Sequence, residues 1–125
     1  MKPEHAAVAR QSLLLAAAPE PVVQSVLASA RLREFDRGAT IFVQGERASA
    51  IHIVAAGWAK LYRTAPNGAE AVVGVVTFGR SFGEAVAFRH DVYPVATEAV
   101  TDCSLIRIEA DAFLRPCATN LKWRS

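Results

Sequence analysis

Glycines recur through the middle of the chain at intervals that suit short β-strands joined by tight turns. For most of this stretch one glycine follows another every seven to twelve residues, at positions 38, 45, 57, 68, 79 and 83. Short apolar-rich segments lie among them and beyond the last: Thr40–Gln44, Ile51–Val54, Ala59–Arg63, Ala71–Phe78, Val95–Val100 and Ser104–Ile108. Strands and turns at this spacing are typical of sandwiches, rolls and barrels. We therefore predict a mainly β fold, a double-stranded β-helix or jelly-roll β-roll with short flanking helices.

Two helical patterns precede the predicted strands. The first covers His5–Ala17, and the second runs from Pro21 to about Ala30, because proline is favoured in the first turn of a helix. A chain of 125 residues has the length of one domain. We expect N-terminal helices over residues 5–30, the β-roll over residues 31–108, and the start of a truncated C-terminal helix over residues 109–125.

The charge and cysteine content narrow the class of protein. The net charge is only +2 and the basic residues are scattered, so nothing indicates DNA binding by this chain alone. No apolar run approaches the roughly 20 residues of a membrane span, so no membrane partner is expected. Cys103 and Cys117 form no CxxC pair, which fits a reduced compartment. The sequence indicates a cytoplasmic protein.

The segment Gly79–Phe88 carries the strongest functional signal. Gly83 would let the backbone approach a ligand closely, and the free N–H groups of the helical turn that follows could bind an anion. Glu84 could accept hydrogen bonds from a pair of sugar hydroxyls. The alternative is an ordinary turn, since such a triplet alone is a weak motif.

Several ordered motifs resemble the cyclic-nucleotide-binding domain of the Crp/Fnr family of transcription regulators. The run from Asp36 to Glu46 is similar to the family pattern P-x-G-x-x-I-F-x-Q-G-D/E. The other matching segments follow in family order: Ile51–Tyr62, Phe82-Gly83-Glu84, Glu98–Cys103 and Ala110–Phe113. The resemblance implies a β-roll that binds a small-molecule effector through a cassette beginning at Phe82. The implied ligand-binding residues are Phe82, Gly83, Glu84, Ala85, Tyr93, Pro94 and Val95.

The cassette departs from the family where cyclic AMP is held. In members that bind this nucleotide, an Arg followed by Ser or Thr grips the cyclic phosphate, whereas the corresponding positions here are Tyr93 and Pro94. Phosphate favours a guanidinium partner. The resemblance therefore disfavours cyclic AMP, with Arg89 and His90 the nearby candidates for an anion or haem contact. A genuine cyclic-nucleotide-binding stand-alone module is the alternative.

Cofactors used by other branches of the family can be weighed from the sequence. An iron–sulfur cluster is not expected, because residues 1–35 contain no cysteine. Haem remains open as part of a nitric-oxide sensor, with His90 the best axial ligand, although a solvated loop histidine is the simpler interpretation. His52 alternates with two isoleucines and is expected to face solvent.

A cupin-type metalloenzyme is the competing class for such a barrel. Its two metal-binding histidines would fall at Ile51 and Ile53, and isoleucine cannot bind a metal. We expect no catalytic residues, no metal and no enzyme activity.

The C-terminal residues show none of the patterns of a DNA-binding domain. Residues 117–125 show no heptad and no helix-turn-helix pattern. We expect a sensor domain without its DNA-reading half, and the C-terminal segment is the candidate surface for a homodimer.

Overall fold

The computed structural model describes residues 3–11, 16, 18–83, 86, 87, 89 and 91–112. Helix α1 covers Pro3–Gln11 and helix α2 covers Glu20–Ser29. Helix α2 matches the second predicted helix to within a residue at each end, and its proline lies in the first turn. The predicted C-terminal helix beyond residue 112 lies outside the described residues.

The described residues form eight strands in two four-stranded antiparallel sheets. Their bounds are β1 Arg31–Phe35, β2 Thr40–Phe42, β3 Ala50–Ala56, β4 Ala59–Thr64, β5 Glu70–Val76, β6 Ser81–Phe82, β7 Ala96–Ala99 and β8 Cys103–Glu109. One sheet has the order β1-β8-β3-β6 and the other the order β2-β7-β4-β5. The predicted mainly β jelly-roll fold with short flanking helices is confirmed. No helix among the described residues has the length and apolar character needed to cross a bilayer.

Apolar residues fill two layers on either side of the first sheet. The helices cover its outer face, where Val22 and Val26 of α2 pack with Ile53, Ile106 and Ile108. The inner face packs against the second sheet through a larger cluster that includes Phe42, Phe82 and Tyr93. Burial of both faces explains why β8 and β3 are rich in isoleucine, leucine and valine.

The prediction that His52 faces solvent is wrong. His52 does lie opposite to the face of Ile53, as the alternation requires, but its side chain is only 4% exposed. The reason is that β3 is a central strand, paired with β8 on one side and β6 on the other. Its second face lies inside the roll rather than in water.

Gly57, in the turn between β3 and β4, has no room for a side chain. Its φ is +74°, and an added Cβ would overlap the carbonyl oxygen of Asp102. We expect Gly57→Ala to lower the free energy of unfolding by about 2–4 kcal/mol, since backbone strain and a steric clash act together. Urea unfolding followed by circular dichroism measures this loss.

Gly38 supplies the matched control for that substitution. It also has a positive φ, +86°, but an added Cβ would meet nothing within 4 Å. Gly38→Ala should therefore cost only about 1 kcal/mol, from the conformational preference alone. Equal losses for the two variants would show that the contact with Asp102 does not constrain the turn.

Candidate functional site

A cavity of about 190 Å³ opens between the two sheets near the end of β6. Its wall combines residues of β2, β4 and β6 with further residues of the cassette that begins at Phe82. The lining residues are Phe42, Leu61, Phe82, Gly83, Val86, Tyr93, Pro94 and Val95. All of them are apolar or aromatic, and the Tyr93 hydroxyl is the one polar side-chain group in the set.

The structure brings five of the seven predicted ligand-binding residues to this cavity. These are Phe82, Gly83, Tyr93, Pro94 and Val95. Glu84 and Ala85 lie outside the described residues, and so does His90, the candidate haem ligand. Arg89 is exposed and is not among the lining residues. The binding role of all these residues stays a prediction.

Tyr93 is held in place from several directions. Its ring stacks on Phe42 with centroids 3.6 Å apart and planes 9° apart, and its hydroxyl donates to the carbonyl oxygen of Ala50 at 3.2 Å. Its backbone N–H donates to Glu46 O at 2.9 Å and its carbonyl accepts from Gly45 N–H at 2.8 Å. Burial raises the pKa of the phenol. Tyr93 is thus a fixed and neutral part of the cavity wall.

Gly83 allows the chain to turn tightly against that wall. Its φ is +89°, and an added Cβ would stand 3.5 Å from Cε1 of Tyr93 and 3.4 Å from Ala50 O. Its carbonyl accepts a hydrogen bond from Ala87 N–H at 3.0 Å, and Val86 and Ala87 are helical. The helical turn predicted for this segment is therefore present, and the close approach of the Gly83 backbone to a ligand stays a prediction.

His52 forms part of the layer behind the cavity. Its ring centroid lies 5.2 Å from that of Phe82 and 5.9 Å from that of Phe42, with the ring planes 25° and 30° apart. Burial, helped by the charges of Arg107 and Arg33, lowers its pKa from 6.5 to about 4. Among the described residues nothing hydrogen-bonds its Nδ1. The imidazole is therefore neutral near pH 7 and packs as an aromatic side chain.

Phe42, Leu61 and Val86 line the cavity although the sequence did not single them out for ligand contact. Phe42 and Leu61 lie on strands β2 and β4, which both pair with β7 at Thr97. Only this pairing register brings them together, and it joins positions far apart in the chain. In the sequence they stand only as residues of the predicted strands Thr40–Gln44 and Ala59–Arg63.

Two cationic side chains on strands of the roll are paired with carboxylates. Lys60 of β4 pairs with Glu98 at 3.6 Å, and Arg107 of β8 pairs with Glu109 at 3.1 Å. Neither cation lines the cavity, and no lining residue in the described part of the chain carries a charge. The described wall therefore offers a buried phosphate no charged partner.

Comparisons with known proteins agree with this architecture. Residues 32–120 match the profile of a family described as the cyclic nucleotide-binding domain. A Mycobacterium tuberculosis protein named as a CRP-like cAMP-activated global transcriptional regulator is 28% identical over 79 residues. That match covers 63% of this chain and 35% of the regulator, so the chain spans about a third of its relative's length.

Solved structures extend the likeness over nearly the whole chain. A Ruegeria pomeroyi protein whose crystal structure was assigned to cyclic nucleotide binding is 47% identical, with a TM-score of 0.87 over 95% of this chain and 53% of that one. The sensor domain of the transcriptional regulator DNR from Pseudomonas aeruginosa is 31% identical. Its TM-score is 0.83, over 94% of this chain and 79% of the sensor domain.

Proposed function

This chain belongs to the cyclic nucleotide-binding domain family, and from that premise we propose that it is the ligand-sensing effector domain of a Crp/Fnr-type transcription regulator. It acts in the cytoplasm and is not an enzyme. The likeness to the DNR sensor domain and to the mycobacterial regulator supports this assignment. In such a protein, a ligand shifts the balance between two arrangements of the chain by binding one of them more tightly.

The effector we propose is not cyclic AMP. The carrying observation is that Tyr93 and Pro94 stand on the cavity wall at the positions where the resemblance places a phosphate-binding Arg and Ser or Thr. Tyr93 is buried and stacked on Phe42, so its ring cannot make way for a charged group without loss of packing. A charge-assisted hydrogen bond to a phosphate contributes about 1.5–3 kcal/mol, which this wall does not supply.

Cyclic-nucleotide binding is the second candidate function. The mycobacterial relative is named as cAMP-activated and the Ruegeria pomeroyi structure was assigned to cyclic nucleotide binding. The fold of the cassette around Gly83 supports this alternative, and Glu84 is available in the sequence for a ribose. The two candidates differ in whether the site holds a phosphate.

Replacement of Pro94 by arginine distinguishes between the two candidate functions. Pro94 is exposed at the rim of the cavity, so an arginine there can reach a bound phosphate without burial of its charge in the core. We expect the wild-type chain to bind cyclic AMP weakly or not at all, and Pro94→Arg to bind it at least about tenfold more tightly. Isothermal titration calorimetry with cyclic AMP and cyclic GMP measures both affinities.

An uncharged variant shows whether the gain comes from the arginine. Pro94→Gln removes the proline ring and adds a polar side chain with no charge, so it should bind cyclic AMP no better than the wild type. Tight binding of cyclic AMP by the wild type, with no gain in Pro94→Arg, would favour the second candidate.

A further inference from the structure

We propose that the cavity binds a small uncharged aromatic molecule that carries one hydrogen-bonding group, and that the Thr97 hydroxyl is the partner of that group. This inference rests on the proposed ligand-sensing function and gives it a chemical class of ligand. Two independent features carry it: the size and lining of the cavity, and an unpartnered polar atom on the residue directly opposite two of its lining residues.

The size and lining of the cavity suit a single aromatic ring. At about 190 Å³ it is smaller than the about 300–1,000 Å³ typical of sites for drug-sized ligands. It is closer to the apolar cavities of about 150 Å³ that bind benzene. Phe42, Phe82 and Tyr93 present their rings to it, and aromatic rings pack well against one another at 4.5–7 Å.

Thr97 carries a buried, unpartnered hydroxyl on a strand that pairs with two strands of the cavity wall. It lies on β7 directly opposite Phe42 of β2 and Leu61 of β4. Residues directly opposite one another across an antiparallel pair project to the same face, so the Thr97 side chain shares the face of two cavity-lining residues. The residue is 0% exposed, and no described group hydrogen-bonds its Oγ1.

An unpaired hydroxyl inside a core is costly, by about 1–3 kcal/mol. A valine would fill the same space without that cost, so the strand gains nothing in stability from a threonine at this position. A bound ligand that hydrogen-bonds Oγ1 removes this cost, and this accounts for a threonine at the position. Leu61, the lining residue directly opposite Thr97, is only half-buried. The proposal requires its side chain to change rotamer so that the ligand reaches Oγ1.

Phenol and toluene test this assignment because they have nearly the same shape and differ in the hydroxyl. We expect the wild-type chain to bind both, with phenol bound about two- to tenfold more tightly, the range for one buried hydrogen bond. Amide chemical shifts in NMR titrations should change at Gly83, Val86 and Val95. In Thr97→Val the preference for phenol should disappear while the affinity for toluene stays the same.

Thermal unfolding of the same variants excludes loss of folding as the cause. Thr97→Val should unfold at the same or a higher temperature than the wild type, because it removes the unpaired hydroxyl. Thr40→Val is the matched control, since Thr40 is an exposed residue of β2 and pairs with Glu98 instead. It should keep the preference for phenol.

Three outcomes would overturn the inference. Unchanged preference for phenol in Thr97→Val would show that the hydroxyl does not contact the ligand. Binding of cyclic AMP by the wild type, with neither phenol nor toluene bound, would refute the aromatic ligand class but leave the sensor function standing. Binding of none of these compounds would count against the sensor function as well.

Discussion

Truncation of Phe42 to alanine is expected to lower the free energy of unfolding by about 3–5 kcal/mol. Phe42 is 4% exposed and its ring stacks on Tyr93, with Phe82 and His52 at 6.0 and 5.9 Å. Loss of the ring removes its transfer free energy and leaves a hole beside the cavity between the sheets, so that several neighbours lose contacts at once. A domain of this size has only about 5–15 kcal/mol of stability in total.

The short length of β2 makes its packing decisive. The strand has three residues and, within the described part of the chain, pairs with β7 alone, with an irregular register between Thr40 and Phe42. Few backbone hydrogen bonds therefore hold it, and the Phe42 ring fixes it against the roll. We expect Phe42→Ala to weaken ligand binding in addition to lowering stability, because the ring forms part of the cavity wall.

Phe78 provides the comparison for Phe42. Its side chain is 65% exposed, so Phe78→Ala should change the free energy of unfolding by no more than about 0.5 kcal/mol. Urea unfolding monitored by circular dichroism gives both values. If Phe42→Ala lowers the free energy of unfolding by less than about 1 kcal/mol, the neighbouring side chains fill the vacated space at little cost. The aromatic cluster then does not anchor β2.

Much of the fold could be predicted because its signals are local. The turn at Gly57 requires a positive φ, and the alternation within Ile51–Val54 and Ala59–Arg63 indicated strands where β3 and β4 lie. Helix α2 was predicted from a proline and an apolar stripe within ten residues. Each of these signals concerns neighbours in the sequence, so it can be identified without knowledge of contacts between distant parts of the chain.

The interior of the site depends on contacts between distant parts of the chain. Alternation showed that His52 and Ile53 lie on opposite faces of β3, but it could not show that both faces are covered. Two lining residues of the cavity, Phe42 and Leu61, come together because both lie opposite Thr97 of β7. Such a register follows from the assembled sheet, so the sequence alone could not place the unpartnered hydroxyl.

Burial of His52 also predicts how stability depends on pH. The pKa of this imidazole is about 4 in the folded chain and 6.5 as the ordinary value for the unfolded one. Below pH 6.5 the unfolded state therefore binds the proton first, and acid favours unfolding. The contribution is complete above pH 6.5, decreases as the pH falls towards 4, and amounts to about 2 kcal/mol between pH 7 and pH 5.

His52→Phe separates this effect from the titration of carboxylates, which both proteins share. Phenylalanine has similar size and can keep the stacking on Phe42 and Phe82, yet it has no proton to gain. Urea unfolding of both proteins at pH 7, 6 and 5 should show stabilities that diverge as the pH falls, with the wild type losing about 2 kcal/mol more. Parallel curves would mean that the folded chain admits a proton at His52 as readily as the unfolded chain does. In that case the imidazole could not belong to the closed aromatic layer behind the cavity.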